Sequence, residues 1–302
     1  MATSARKITD KKLAEMERQL DAIYSRANRE IGEKWRKYMD NAAKRVADAQ
    51  KAYDDAKKTG DKVKIAEAKE ALQKKQTAVT LTDAKYRTML SQTAAVLNNV
   101  NKTAAAYVNG KLPEIYSINY TEVSTDIGGK VGYSFNLPDQ DTVARLATQN
   151  DQLLPAQTDL KWNRQALNAE VTQGIIQGES VDKIKMRFQR VLGMDRSCSR
   201  RNARTAVTAA ENRGRMDMME RAEEMGIEVK KVWMAIHDDR TRDAHAELDG
   251  VAVDVDEPFK NELGEIMFPG DSDAEDPANV YNCRCTLGYN LYKNGRLISG
   301  VG

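Results

Sequence analysis

The sequence predicts an α+β protein that is predominantly α-helical, with a long N-terminal helical hairpin and a small, mostly antiparallel sheet near its other end. Three observations predict it. Apolar positions recur at helical spacing through the first 110 residues, and glycines fall where later helices would stop. After Gly226 the pattern changes to alternation with period two. The 302 residues then divide into a basic hairpin over 1–112, a connector over 113–156, and a C-terminal α+β domain over 157–302. Within that last part, helices are expected over 158–225 and the sheet over 227–292.

The first arm of the hairpin follows from one stripe. Leu13, Met16, Leu20, Ile23, Ala27, Ile31, Trp35, Tyr38, Ala42, Val46, Ala49, Tyr53 and Ala56 recur at a mean step of about 3.6, the period of one buried helix face. Gly60 suits a left-handed C′ position and Asp61 the N-cap of the next helix. The second arm runs to about Val108. Ile65, Leu72, Val79, Tyr86, Thr93, Val100 and Tyr107 recur every seven residues, a coiled-coil-like seam. Its companion positions are polar early (Lys69, Gln76, Asp83) and apolar later (Leu90, Leu97), so packing should tighten toward Gly110. Ala-rich stripes bury little area each, and such arms are expected to pack on a partner, a second copy of the chain among the candidates.

Gly110 and Pro113 end the hairpin. Tyr116 to Tyr120 alternates like a strand, and Gly128-Gly129 would turn into a second strand, Val131 to Leu137. Asp139 or Asp141 then opens a short helix before Pro155. One further helix is expected from Thr158 to Gln177, stopped by Gly178, and another from Val181 to Leu192, capped by Ser180 and followed by Gly193. A third runs from about Arg196 to Met225 and stops at Gly226. Ile227 to Ile236, Val251 to Val255, Gly264 to Phe268 and Asn282 to Tyr292 read as strands, with Asp249-Gly250 as a turn.

The net charge of +2 hides an asymmetry. Residues 1–112 carry 24 Lys+Arg against 14 Asp+Glu, or +10, and the remainder carries 23 against 31, or −8. A basic half favours polyanions, although Lys/Glu-rich helices commonly just present solvated faces. No apolar run approaches the ~20 residues a membrane span needs, and Met1 to Leu13 has no apolar segment of the kind a signal peptide carries. Three cysteines, Cys198, Cys283 and Cys285, do not make a disulfide framework.

The information is densest between Trp233 and Cys285. Asp239-Arg240-Thr241-Arg242 is followed by His245, by Leu248-Asp249-Gly250, by Pro269-Gly270, and by Asn282-Cys283-Arg284-Cys285. Upstream, Arg204-Thr205 sits inside the long helix. In these residues, their order and their spacing, the chain resembles the Mu F-like minor head proteins, the head-morphogenesis or SPP1-type minor capsid family, over about Leu160 to Tyr289. The resemblance implies a structural protein of a tailed-phage virion, not an enzyme, assembled in the host cytoplasm and placed inside the head. It implies the portal protein as partner, with a role in head morphogenesis and in DNA packaging or delivery. Major capsid protein and packaged double-stranded DNA are further expected partners. No catalytic residues come with it, and the glutamate often found after the Arg-Thr pair is Ala206 here.

Read on their own, Cys283 and Cys285 would face one side of a strand with Arg284 on the other. With His245 and one of Asp238, Asp239 or Asp243 they form a candidate zinc site that would staple a small sheet. The plainer alternative makes both thiols small buried apolar groups. Asp239 is expected as an N-cap, with Arg240 and Arg242 clamping local acids. Trp233 is expected in the core and His237 at the surface. Two histidines in all argue against a metal nuclease.

Overall fold

The computed structural model describes residues 4–77, 84–136 and 181–300, with isolated positions between 143 and 173. Two compact units are each built from non-contiguous stretches. One comprises residues 21–103 and 157–197, the other residues 1–20, 104–156 and 198–302. The fold class is as expected, α+β and mainly α.

Helix α1 runs Ser4–Thr59, α2 Lys62–Thr77 and α3 Ala84–Asn109. Gly60 has φ +71°, and the Asp61 carboxylate accepts from the Val63 and Lys64 amides at 3.0 and 3.3 Å. The turn thus has the two devices its sequence announces. Antiparallel pairing of α1 with α3 is fixed by polar contacts inside an apolar seam. Tyr24 donates to Asn101 at 2.6 Å and Trp35 Nε1 donates to Thr93 at 2.9 Å. The buried stripe of α1 holds Tyr24, Ala27, Ile31, Trp35, Tyr38 and Ala42, with Tyr24 in the place expected of Ile23. In α3 the buried positions are Leu90, Thr93, Ala94, Leu97, Asn101, Ala104 and Val108. Val100 and Tyr107 are half-buried, so the seam runs through the companion register. Leu90 and Leu97 carry it in α3, being larger apolar groups than Thr93 and Val100 of the other set. Val79 and the side chain of Tyr86 lie outside the described residues.

The second unit departs from expectation at its first element. Tyr116 to Tyr120 is not a strand but part of α4, Leu112–Val131, and Gly128-Gly129 is helical rather than a turn. The alternation of three residues was a sample of a longer period. Ile115, Tyr116, Asn119, Tyr120, Val123 and Ile127 are all buried on one face at 3–4 spacing. Pro113 fits the first turn, and Gly132, with φ +74°, ends the helix. No strand forms over 131–136. The short helix expected before Pro155 falls mostly outside the described residues, as does most of the Thr158–Gln177 helix.

Helix α5, Val181–Glu224, is continuous where two helices were expected. Gly193 is an interior residue without a positive φ. Val191, Asp195 and Ser199 stay buried at four-residue spacing across it; the packed face outweighs the ~1 kcal/mol that an interior glycine costs a helix. Gly226, with φ +81°, closes α5 as expected. The sheet follows: β1 Glu228–Met234, β2 Ala252–Asp254, β5 Thr286–Lys293 and β6 Arg296–Gly300, all antiparallel in the order β2-β1-β5-β6. A separate ribbon pairs β3 Phe259–Asn261 with β4 Gly264–Ile266. Two single-turn helices, α6 Asp243–Ala246 and α7 Pro277–Val280, stand beside the sheet.

Candidate metal centre and the helix that positions it

The polar residues of α5 explain where the motif goes. Thr205, Thr208 and Asn212 lie on one face of a helix otherwise rich in alanine there, and all three are buried. Each holds backbone of the segment that carries the cysteines. Thr205 Oγ1 accepts from the Asn282 amide at 2.9 Å, and Thr208 Oγ1 donates to the Cys283 carbonyl at 2.9 Å. Asn212 Nδ2 donates to the Pro269 and Cys285 carbonyls at 3.0 and 3.3 Å, while its Oδ1 accepts from the Leu287 amide at 2.8 Å. The 282–287 segment is therefore hung on the helix, not merely packed beside it. Pro269-Gly270 meets the same face. Gly270 has φ +88°, and a Cβ there would lie 2.7 Å from the Ala209 backbone nitrogen, so only glycine allows this approach.

Next along the same helix lies a buried ionic network. Glu211 accepts from Arg6 at 2.9 Å and from Thr286 at 3.0 Å, with Arg215 at 3.8 Å. Arg215, 4% exposed, also donates to Asn119 at 3.1 Å, Glu122 at 3.1 Å and the Leu287 carbonyl at 3.4 Å. The start of α1, α4, α5 and β5 are wired together by one set of paired charges. Buried pairs of this kind are costly to break because the surviving partner is left uncompensated.

The hung segment brings Cys283 and Cys285 to His245. His245 Nδ1 lies 3.5 Å from Cys283 Sγ and 3.7 Å from Cys285 Sγ, and all three side chains are buried with their donor atoms within 4.8 Å of one another. The thiols face one side, with Arg284 outward, but not because they are in a strand; β5 begins only at Thr286. Asn279 Oδ1 lies 2.9 Å from His245 Nε2 and also accepts from Asn261 at 3.1 Å. Acting as an acceptor, it fixes the proton on Nε2 and leaves the Nδ1 lone pair aimed at the sulfurs. Trp233, fully buried, packs edge-on to the His245 and Phe259 rings, both at 5.3 Å. The Cys283 thiol donates toward Cys285, which holds Cys285 well below the ordinary thiol range. That same hydrogen bond, together with burial, pushes Cys283 up.

These residues fit a zinc ion. Bonds of about 2.3 Å to sulfur and about 2.0–2.1 Å to nitrogen put neighbouring tetrahedral ligands about 3.6 Å apart, and the observed separations are 3.5 and 3.7 Å. No carboxylate joins the cluster among the described residues, contrary to the expectation for Asp238, Asp239 or Asp243. Asp238 is committed elsewhere. Its two oxygens accept from Arg284 at 2.6 and 2.5 Å, which holds its carboxyl far below the usual range. Asp239 and Asp243 are exposed.

The other motif residues hold chain. Arg204 pairs with Glu17 at 2.5 Å, and Arg242 donates to the Tyr281 carbonyl at 2.5 Å instead of clamping an acid. Asp239 is not an N-cap: α6 starts after Arg242, without a side-chain cap. Asp238 takes the turn role, accepting from the Arg240 amide at 3.1 Å. Thr241 Oγ1 donates to the Ile236 carbonyl. Arg240 and His237 are exposed, beside Asp238 at 3.5 Å and Asp249 at 3.0 Å. Gly250, at φ +78°, donates its amide to the Trp233 carbonyl at 2.8 Å. Ala206 is buried. Sequence reasoning missed Glu17, Thr208, Glu211, Asn212, Arg215 and Asn279, although polar residues at 3–4 spacing on an alanine face were a visible sign.

The motif residues thus lie on a helix-hung α+β unit with a buried His/Cys/Cys cluster. Residues 165–288 match the family model described as Phage Mu protein F like protein. The chain is 28% identical over 216 residues to the minor head protein GP7 of Bacillus phage SPP1, covering 68% of this chain and 69% of that protein. It is also 34% identical over 126 residues to the NAD(+)–arginine ADP-ribosyltransferase EFV of Enterococcus faecalis, covering 40% of this chain but only 25% of that protein. No solved structure matches.

Proposed function

We propose that this chain is a structural minor head protein of a tailed phage, a virion component without catalysis of its own, whose C-terminal domain is stapled by zinc on His245, Cys283 and Cys285. The likeness to a minor head protein over two thirds of both chains carries the first half of this reading. The use of the motif supports it, since Arg204, Thr205, Arg242 and Arg284 are engaged with other parts of the chain. The partial likeness to an ADP-ribosyltransferase spans a quarter of that protein. Within this reading the protein sits inside the head at the portal vertex, contacts the portal protein and serves head assembly and DNA packaging or delivery. No described helix is long and apolar enough to cross a membrane.

Two measurements test the proposal. A map of the portal vertex should show this chain packed against the portal on the inner side; density only outside the capsid overturns the placement. Metal analysis of protein purified without chelator should give about one equivalent of zinc, and less than a tenth overturns the staple. A second reading, non-specific contact with packaged DNA, is favoured by the +10 charge of residues 1–112. It requires duplex binding by the full chain that falls steeply with salt.

A further inference from the structure

The three protein donors leave one tetrahedral position, and the cluster opens on one side. A small, partly open recess of about 10 Å³ is lined by all three donors together with Ile236, Arg240, Thr241, Arg242, Asn282 and Arg284. That is about the volume one water molecule needs. No described carboxylate reaches it, and the nearby Asp238 is held by Arg284. Two thiolates would cancel the charge of a divalent ion, while Arg240, Arg242 and Arg284 line the opening. A neutral or singly negative ligand is what such a pocket accepts.

Resting on the zinc reading above, we propose that the fourth ligand of this centre is not a protein side chain but one exchangeable, solvent-sized molecule: water, hydroxide or a monatomic anion. Three protein ligands with one open position is the arrangement of catalytic zinc. Here the size of the cavity decides otherwise. The three donors are themselves buried and the recess over them is narrow, so the open position serves ligand and metal exchange rather than turnover. The staple is consequently one that small anions can reach and chelators can attack from the Arg240–Arg242 side.

The test uses the full chain loaded with Co²⁺ in place of zinc. Equilibrium dialysis gives the stoichiometry, and thiolate-to-cobalt charge-transfer absorption reports the cysteines. Electron paramagnetic resonance spectra are then compared in ordinary and ¹⁷O-enriched water, and visible spectra in sulfate and in bromide. Broadening by ¹⁷O identifies water or hydroxide as the ligand, and a band shift with bromide identifies a halide; either supports the proposal. One equivalent of cobalt with charge-transfer bands but neither response means a protein ligand closes the site, which overturns this inference and leaves the staple standing. Cobalt below a tenth of an equivalent overturns both.

Discussion

Asn212 is the residue on which the site hangs, and Asn212→Ala tests that directly. The side chain is fully buried and its amide satisfies three backbone groups from outside its own helix: the Pro269 carbonyl, the Cys285 carbonyl and the Leu287 amide. Losing a partner inside a protein costs about 1–3 kcal/mol for a donor, and less for carbonyls that can share another donor. One strand N–H and two carbonyls therefore sum to about 3–5 kcal/mol, a large part of the about 5–15 kcal/mol that holds a domain together. At about 2–4 °C per kcal/mol for a domain of this size, the midpoint should fall by about 6–20 °C. Urea denaturation of wild type and variant, followed by circular dichroism, gives the free energy, with Arg201→Ala as control. Arg201 is exposed on the same helix and should shift stability by no more than about 0.5 kcal/mol. An Asn212→Ala loss below about 1 kcal/mol with an unchanged denaturant slope would refute the argument, because the segment would then be held by packing alone.

The remaining predictions concern the centre and its surroundings. Asn279→Leu removes the acceptor that fixes the His245 tautomer and should weaken zinc about 10–100-fold, measured by chelator competition; unchanged affinity refutes the orienting role. Gly270→Ala places a Cβ against the Ala209 backbone at a left-handed φ and should cost about 2–5 kcal/mol, whereas a loss under 1 kcal/mol would mean the turn-to-helix approach is slack. Lys231 is fully buried, with Nζ unpartnered by any hydrogen bond and 5.3 Å from the Phe259 ring. Burial brings its pKa down to about 8, against the opposing pull of Glu220, Asp271, Asp256 and Glu223. The unfolded chain, near 10.4, then holds more protons between those values, so stability should rise as pH climbs from about 8 to about 10.4. Lys231→Met should gain about 1–3 kcal/mol at pH 7, a gain that shrinks by pH 10.5; no gain at pH 7 refutes the buried-charge penalty.

What the sequence disclosed, and what it withheld, divides along one physical line. Local signals were legible: Gly60 and Gly226 take the left-handed positions their placement announced, Asp61 caps as its neighbours require, and the period-two runs after Gly226 become β1, β2 and β5. Errors came where a short window sampled a longer period, as at Tyr116 to Tyr120, or where one glycine was given more weight than the buried face running through it, as at Gly193. The donors of the centre were legible as types, since few residues bind zinc and three of them stood in one region. Their support was not, because it depends on pairs far apart in the chain: Asn212 with Leu287, Arg6 with Glu211, Asn119 with Arg215. The polar face of α5 is visible locally, but nothing local marks which distant groups it meets. Yet the polar face of α5 bears on how the domain can vary. If Thr205, Thr208 and Asn212 grip backbone rather than side chains, the residues between Asn282 and Leu287 can change identity while the loop keeps its path. On the zinc reading, Cys283 and Cys285 then serve the ion and not the fold. Serine at both positions should leave metal-free stability within about 1 kcal/mol of the metal-free parent while abolishing zinc binding. A double variant that cannot fold even without metal would show that the thiols pack the core, and that the grip of α5 is not enough.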